Sequence, residues 1–332
     1  MMYKKIKMLG RKLRCEYNIL RGFIYDYKIY SNASLKTHKK TMGFDESLGL
    51  IIRLYHSLEK GLANEKFKKE SSLKNVSLLL TIFLKNNKID YSDVHVQAAI
   101  KTVSLYFEKH PNKGTLEFEI QRRKFKQILE KVGDVSGYIG GVKQIPTKPK
   151  NQEIDYKEFV KTRVSVSVRS FSEKKIILED ILKVIDIARY CPSACNRQAV
   201  KLFYSLNSKE NEHILKLQNG SRSFREAVPG LIVITSDLRY QEGSEERNLG
   251  FIEGGIWISS LVNSLHAYNI GSCVLNWCVN PETDKKLRDL INIPYNYQII
   301  SLLAIGYANN DQLVPFSVRK EAIDFIQNIN LK

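Results

Sequence analysis

The 332-residue chain has no long apolar run, few cysteines and none of the glycine patterns that mark common nucleotide-binding loops. No stretch approaches the ~18 consecutive apolar residues of a membrane-spanning helix. The opening "MMYKKIKMLGRKLRCEYNILRGF" is basic, but it has neither the apolar core nor the small-residue cleavage site of a secretory signal. Five cysteines are too few and too scattered for a disulfide framework, so reduced thiols and a cytoplasmic location are expected. Cys191 and Cys195 are four apart and Cys273 and Cys278 five apart, with no histidine beside either pair. That spacing does not suit a zinc knuckle, and no metal is expected. A nucleophilic cysteine needs a base in reach, and none of the six histidines lies in these loops. Neither G-x-G-x-x-G after a strand nor G-x-x-x-x-G-K-[ST] occurs.

What is present is an ordinary globular composition, 43% apolar and 10% aromatic, at a length that suits two domains. Charge divides the chain. Residues 1–150 hold 30 Lys/Arg against 14 Asp/Glu, whereas residues 151–332 hold 22 against 21. The basic half is either an electrostatic footprint for an anionic partner or a solvated lysine-rich surface. Nucleic acid ranks last among partners because no binding motif is present. Residues 1–30 mix Tyr3, Tyr17, Phe23, Tyr25, Tyr27 and Tyr30 with lysines and arginines on helical spacing. Such a segment can lie on an anionic membrane surface, as a peripheral contact at the inner face, or dock its aromatic face on the rest of the domain.

Apolar periodicity predicts helices over 45–62, with Asp45 as cap and Gly61 as stop, and over 73–84, 94–107 and 116–132. Residues 137–152 are rich in Gly, Pro and Lys without periodicity and read as a linker. Beyond them helices (176–188, 247–268, 281–290) alternate with strands (200–206, 231–237, 271–277, 297–307), the pattern of a layered sheet-and-helix domain. The expected organisation is a basic helical region over 1–136, a linker over 137–154 and a second domain over 155–332.

Two segments carry chemistry. "TRVSVSVRSF" (residues 162–171) alternates strictly, which in an extended strand sets Arg163, Ser165, Ser167 and Arg169 on one side. Guanidinium forks and hydroxyls in one row suit phosphate oxygens. "CPSACNRQ" (residues 191–198) follows a helix and packs small residues, an asparagine and a glutamine between two cysteines.

"SVSVRSF", a helix, "PSACNRQ" and a strand resemble, in that order, the opening of the FMN-dependent nitroreductase superfamily. Its pattern is an Arg-x-Ser-x-Arg/Lys row followed by a P-S-x-x-N-x-Q loop. "RNLGFIEGGIWISSLVNSLHAYNIGSCVLNW" is similar to its long central helix running into a flavin-contacting strand. "IPYNYQIISLLAIGYANNDQLVPFSVRK" is similar to its closing strand and basic tail. The resemblance covers about residues 155–325. It implies an α+β fold, a mixed sheet flanked by helices, preceded here by a smaller all-helical region. It also implies a homodimer with FMN at the subunit interface, NADH or NADPH as electron donor and a small-molecule acceptor, with no acid, base or nucleophile among the side chains. By position, Ser165, Ser167 and Arg169 match the phosphate row. Ser193, Ala194, Asn196 and Gln198 match the loop beside the ring, often supplied by the other subunit. Leu275, Asn276 and Trp277 match the strand beside the ring, and Arg319 a late phosphate-binding arginine. Where the family has its first arginine this chain has Ser165; either Arg163, two residues earlier on the same face, substitutes for it or the strand is shifted by two. "RLYHSLEKGL" (residues 53–62) resembles a segment preceding such domains in proteins of surface-polysaccharide gene clusters; with the basic charge of this half, it suits an anionic, sugar-linked acceptor. The alternative is a non-catalytic binding protein on a degenerate flavin fold, docking a membrane surface or partner through its basic half.

Overall fold

A computed structural model of the chain describes residues 2–34, 43–63, 70–110, 114–142, 155–166, 171–222, 224–308 and 321–331. Ser167, Arg169, Arg319 and most of the expected linker lie outside the described residues. The N-terminal region consists of α1 (Met2–Ala33), α2 (Phe44–Leu62), α3 (Leu73–Lys85), α4 (Val94–Glu108) and α5 (Leu116–Val132). Helices α2 to α5 share one apolar core that includes Ile51, Leu58, Leu79, Phe83, Ile100 and Phe118. Burying each such side chain contributes about 1.5–3 kcal/mol. Short polar residues cap two of these helices: Asp93 accepts from the His95 and Val96 N–H groups, and Thr115 from that of Phe118. Asp45 does not cap α2. It sits in the first turn, and the N-cap is Gly43, whose N–H donates to Glu46. The start of the expected linker is packed: a Cβ on Gly140 would lie 2.6 Å from the Ala98 carbonyl, so its glycine permits close approach to α4.

The second region runs α6 (Tyr156–Thr162), α7 (Leu178–Ala188), β1 (Val200–Ser205), α8 (Ser208–Leu215), β2 (Gly230–Asp237), α9 (Leu249–Ala267), β3 (Ile270–Asn276), α10 (Pro281–Ile291) and β4 (Tyr297–Tyr307). The strands form one sheet in the order β1-β2-β4-β3, antiparallel throughout. Parallel pairing enters through a bridge between Ser165 and Ser272 on the outer side of β3. The expected strand over 162–171 is otherwise not seen: Thr162 ends α6, and within the described part only Ser165 and Phe171 make bridges. The central strands explain the apolar runs in the sequence, because successive side chains enter opposite faces. Ile232, Ile234, Leu303 and Ile305 pack under α7 and α9. Leu231, Val233, Leu302 and Ala304 pack against α8 and α10. A Cβ on Gly254 would stand 2.7 Å from Ile300, so this glycine lets α9 lie close on β4.

Register places the start of β1, the end of β2, the start of β4 and the end of β3 at one end of the sheet. Val200 pairs with Ser236, Ser236 with Gln298, and Asn276 with Ser301. The helical region closes on that end. Asp45 of α2 bonds Arg239 at 2.5 Å, Arg53 of α2 bonds Glu242 at 2.7 Å, and Tyr240 packs into the helical core. No described helix is long and apolar enough to cross a membrane.

Candidate cofactor site

The loop at residues 191–198 leaves α7 at Ala188 and enters β1 at Val200. Three of its residues, Cys195 (φ 53°), Asn196 (φ 54°) and Gln198 (φ 53°), hold the left-handed conformation without being glycine. Such residues cost of order 1–3 kcal/mol each and persist where surrounding contacts impose them. Those contacts come from two carboxylates. Glu253 of α9 is 3% exposed and accepts from the Ala194 N–H at 2.6 Å and the Ser193 hydroxyl at 3.0 Å. Ser193 Oγ in turn accepts from the Gln198 N–H at 2.9 Å. Arg197, also 3% exposed, points inward and meets Glu246 through two bonds of 2.8 Å. It also donates to the Tyr240 and Ala194 carbonyls at 2.5 and 3.2 Å. Glu246 further accepts from the Glu242 N–H at 2.6 Å.

These pairings shape the electrostatics. Burial opposes the Arg197 charge, yet the hydrogen bond and charge of Glu246 outweigh it and hold the guanidinium pKa above its ordinary value. Burial likewise works against ionised Glu246, but Arg197 and the Glu242 N–H bring its carboxyl below the usual range. Burial and then Glu253 push the Cys191 thiol up, away from thiolate chemistry. The described histidines are engaged elsewhere: His266 with Thr162, His95 with Tyr55, His110 with Tyr106, His56 with Glu59 and His213 with Lys209. Among the described residues no group of His, Cys, Asp and Glu could hold a metal ion.

With Arg197 turned in, Asn196 and Gln198 face out and are exposed. Among the described residues their only side-chain amide bonds run from the Gln198 amide to the carbonyl and Oδ1 of Asn196, at 3.3 and 3.4 Å. Donors and acceptors are thus available for the polar edge of a flat heterocycle, beside the small side chains of Ser193 and Ala194. This fits the ring end of the expected flavin. Asn276, at the end of β3, is exposed and receives Gln218 at 3.1 Å on its carbonyl. Leu275 is buried in the core on the α8/α10 side, and the Trp277 indole N–H bonds Asp284 at 2.8 Å. Arg163 ends α6 half-buried, and Ser165 is exposed on the outer edge of β3. The sheet therefore separates the two groups within one chain. The loop opens onto β1 and Ser165 lies beyond β3, four strand spacings or about 19 Å away. Glu253, Arg197 and Glu246 are absent from the sequence reading. The one available signal was a lone acidic residue inside the apolar run "LGFIEGGIWIS".

Comparison with known proteins bears on the same region. The profile of the nitroreductase family matches residues 160–217. A protein of Archaeoglobus fulgidus, provisionally named NADH dehydrogenase/NAD(P)H nitroreductase, is 24% identical over 156 residues, covering 44% of this chain and 82% of its own. Among solved structures, an FMN-dependent nitroreductase of Clostridium difficile superposes with a TM-score of 0.43 at 18% identity, over 52% of this chain and 98% of its own. A nitroreductase family protein of Streptococcus pneumoniae gives 0.44 at 19%, over 52% and 100%. The C-terminal half of the chain carries a nitroreductase-family domain, to which the helical N-terminal region is an addition.

Proposed function

We propose that the protein is an FMN-dependent oxidoreductase that passes electrons from NADH or NADPH to an electron-poor small molecule. The observation that carries this reading is the loop at 193–198, held in an otherwise costly backbone by buried Glu253 and Arg197, with its two amides exposed and turned outward. The chemistry FMN supplies when bound is two-electron transfer, a hydride in from the nicotinamide and electrons out to the acceptor. The chain's residues do the rest. Asn196 and Gln198 orient the ring through its polar edge. Ser193 and Ala194 are not ring ligands through their polar groups, which already meet Glu253; they keep the loop thin enough for close approach. Arg163 and Ser165, with Ser167 and Arg169, are the proposed phosphate ligands, joined by Arg319.

A second copy belongs to this reading. The separation of loop and phosphate row across one sheet is met if each site draws on two chains. Residues 321–331 support it: Ile323, Phe325, Ile326, Ile329 and Leu331 are 68–95% exposed on the chain that carries them. The outer side of β1 is unpaired among the described residues and borders an open groove of about 810 Å³ lined by Leu202, Tyr204, Ile214 and Leu290. The acceptor class that suits a basic region closing on the site is an anionic one, and the resemblance of residues 53–62 directs it to a sugar-linked phosphate.

The test is an absorption spectrum of the purified protein before and after adding FMN, then NADH oxidation with a nitroaromatic or quinone acceptor. Retained yellow colour and turnover are expected. A protein that stays colourless with excess FMN overturns the reading, and retained colour without turnover favours the non-catalytic alternative.

A further inference from the structure

Helix α1 is two objects in one rod. Its C-terminal part is anchored: Tyr25 donates to Asp284 at 2.8 Å, Tyr30 to the Gly243 carbonyl at 2.5 Å, and Arg21 pairs with Glu282. Residues 3–20 make no long-range hydrogen bond or ion pair among the described residues. Their one ion pair is local, Lys12 with Glu16. At 1.5 Å per residue this free part projects about 27 Å. It is not polar all round. Ile6, Leu9, Leu13, Tyr17 and Leu20 follow at intervals of three and four and so share one stripe, each 57–62% exposed. Lys7, Arg11, Arg14 and Asn18 form a second stripe about a third of a turn away, with Lys12 on the other flank. A helical stretch of this length draws most of its stability from burying an apolar face, and this face meets nothing among the described residues.

Charge decides what covers it. Glu16 is the sole acidic residue among residues 1–20, which hold six lysines and arginines at 4, 5, 7, 11, 12 and 14. A second copy laid along the stripe would set cation against cation. A bilayer with anionic headgroups accepts the apolar stripe and the cations together. Exposed Tyr3 and Tyr17 add aromatic rings of the kind that settle at headgroup level. We infer that residues 3–20 of α1 form an interfacial helix that docks the protein on an anionic lipid surface. This is independent of the flavin reading, since none of these residues touches the candidate site.

The test is co-sedimentation of the full chain with phosphatidylcholine vesicles, with and without a third of phosphatidylglycerol. Binding to the anionic vesicles is expected, at least tenfold above the neutral ones. It should fall as salt rises from about 0.1 M to about 1 M and the Debye length shrinks from about 10 Å to about 3 Å. Arg11→Gln and Arg14→Gln should each weaken it about fivefold, the share of one basic residue near such a surface. Leu13→Asn with Leu20→Asn should abolish it. None of these side chains lies in a core, so circular dichroism and the thermal midpoint should hold. Equal binding to both vesicle types, or none, overturns the inference. So does an oligomer by light scattering that Leu13→Asn with Leu20→Asn dissolves without any vesicle binding. Duplex DNA binding that ignores the leucine changes, in a protein that leaves vesicles alone, overturns it too.

Discussion

Replacing Glu253 by alanine leaves the Ala194 N–H and the Ser193 hydroxyl without their shared acceptor, beneath a backbone that does not hold its shape unaided. Hydrogen bonds to a charged group are each worth about 1.5–3 kcal/mol, so a loss of roughly 3 kcal/mol is expected for Glu253→Ala, with Glu253→Gln recovering part. Urea midpoints measure the loss, and proteolysis at residues 191–198 reports whether the loop has opened. The Arg197–Glu246 brace is the pH-sensitive part. Because Glu246 has a folded pKa below its unfolded value, its contribution is complete above the unfolded value of about 4.3 and is lost as pH falls through the lower, folded one. Thermal midpoints of the wild type and Glu246→Gln should therefore differ at neutral pH and converge in acid; a constant gap would show that the carboxylate does not titrate with the loop.

At the scale of elements, the sequence made some things plain and hid others for physical reasons. The bounds of α5 and β4 coincide with expectation because each has one strong periodicity, helical in the first and buried continuous in the second. Helix α8 escaped notice because "SKENEHIL" is short and mostly polar, recognisable only through Asn207, which accepts from the Lys209 and Glu210 N–H groups. The alternating segment 162–171 read as a strand on its strict alternation, yet α6 takes its first residue and the sheet takes it up at Ser165. The composition of the loop at 191–198 marked it as a site. Its scaffold stayed invisible, since no pattern in the sequence says that Arg197 turns inward or that a carboxylate sixty residues on reaches Ala194. Gly271 is the element-scale test of how the phosphate-row segment meets the sheet. A Cβ there would stand 2.8 Å from Val166, so Gly271→Ala should cost about 1–3 kcal/mol and shift that segment from β3. Weaker retention of added FMN, with the loop at 191–198 still protected from protease, is the expected signature.

For the whole molecule, removal of residues 321–332 tests the paired arrangement. Residues 321–331 expose their apolar side chains and bury none of the core clusters among the described residues, so the truncated protein should fold, run as a monomer by light scattering and retain less FMN. Helix α2 is fastened beside the candidate site at three described places: Asp45 on Arg239, Arg53 on Glu242, and Tyr240 inserted among the helices, where a Cβ on Gly49 would lie 3.1 Å from its Cα. The helical core and the sheet domain, joined through such a seam, cannot come apart one at a time without exposing Tyr240 and stranding Arg239. Calorimetry should accordingly record a single melting peak, its van't Hoff and calorimetric enthalpies in agreement, where two independent modules would give a shoulder.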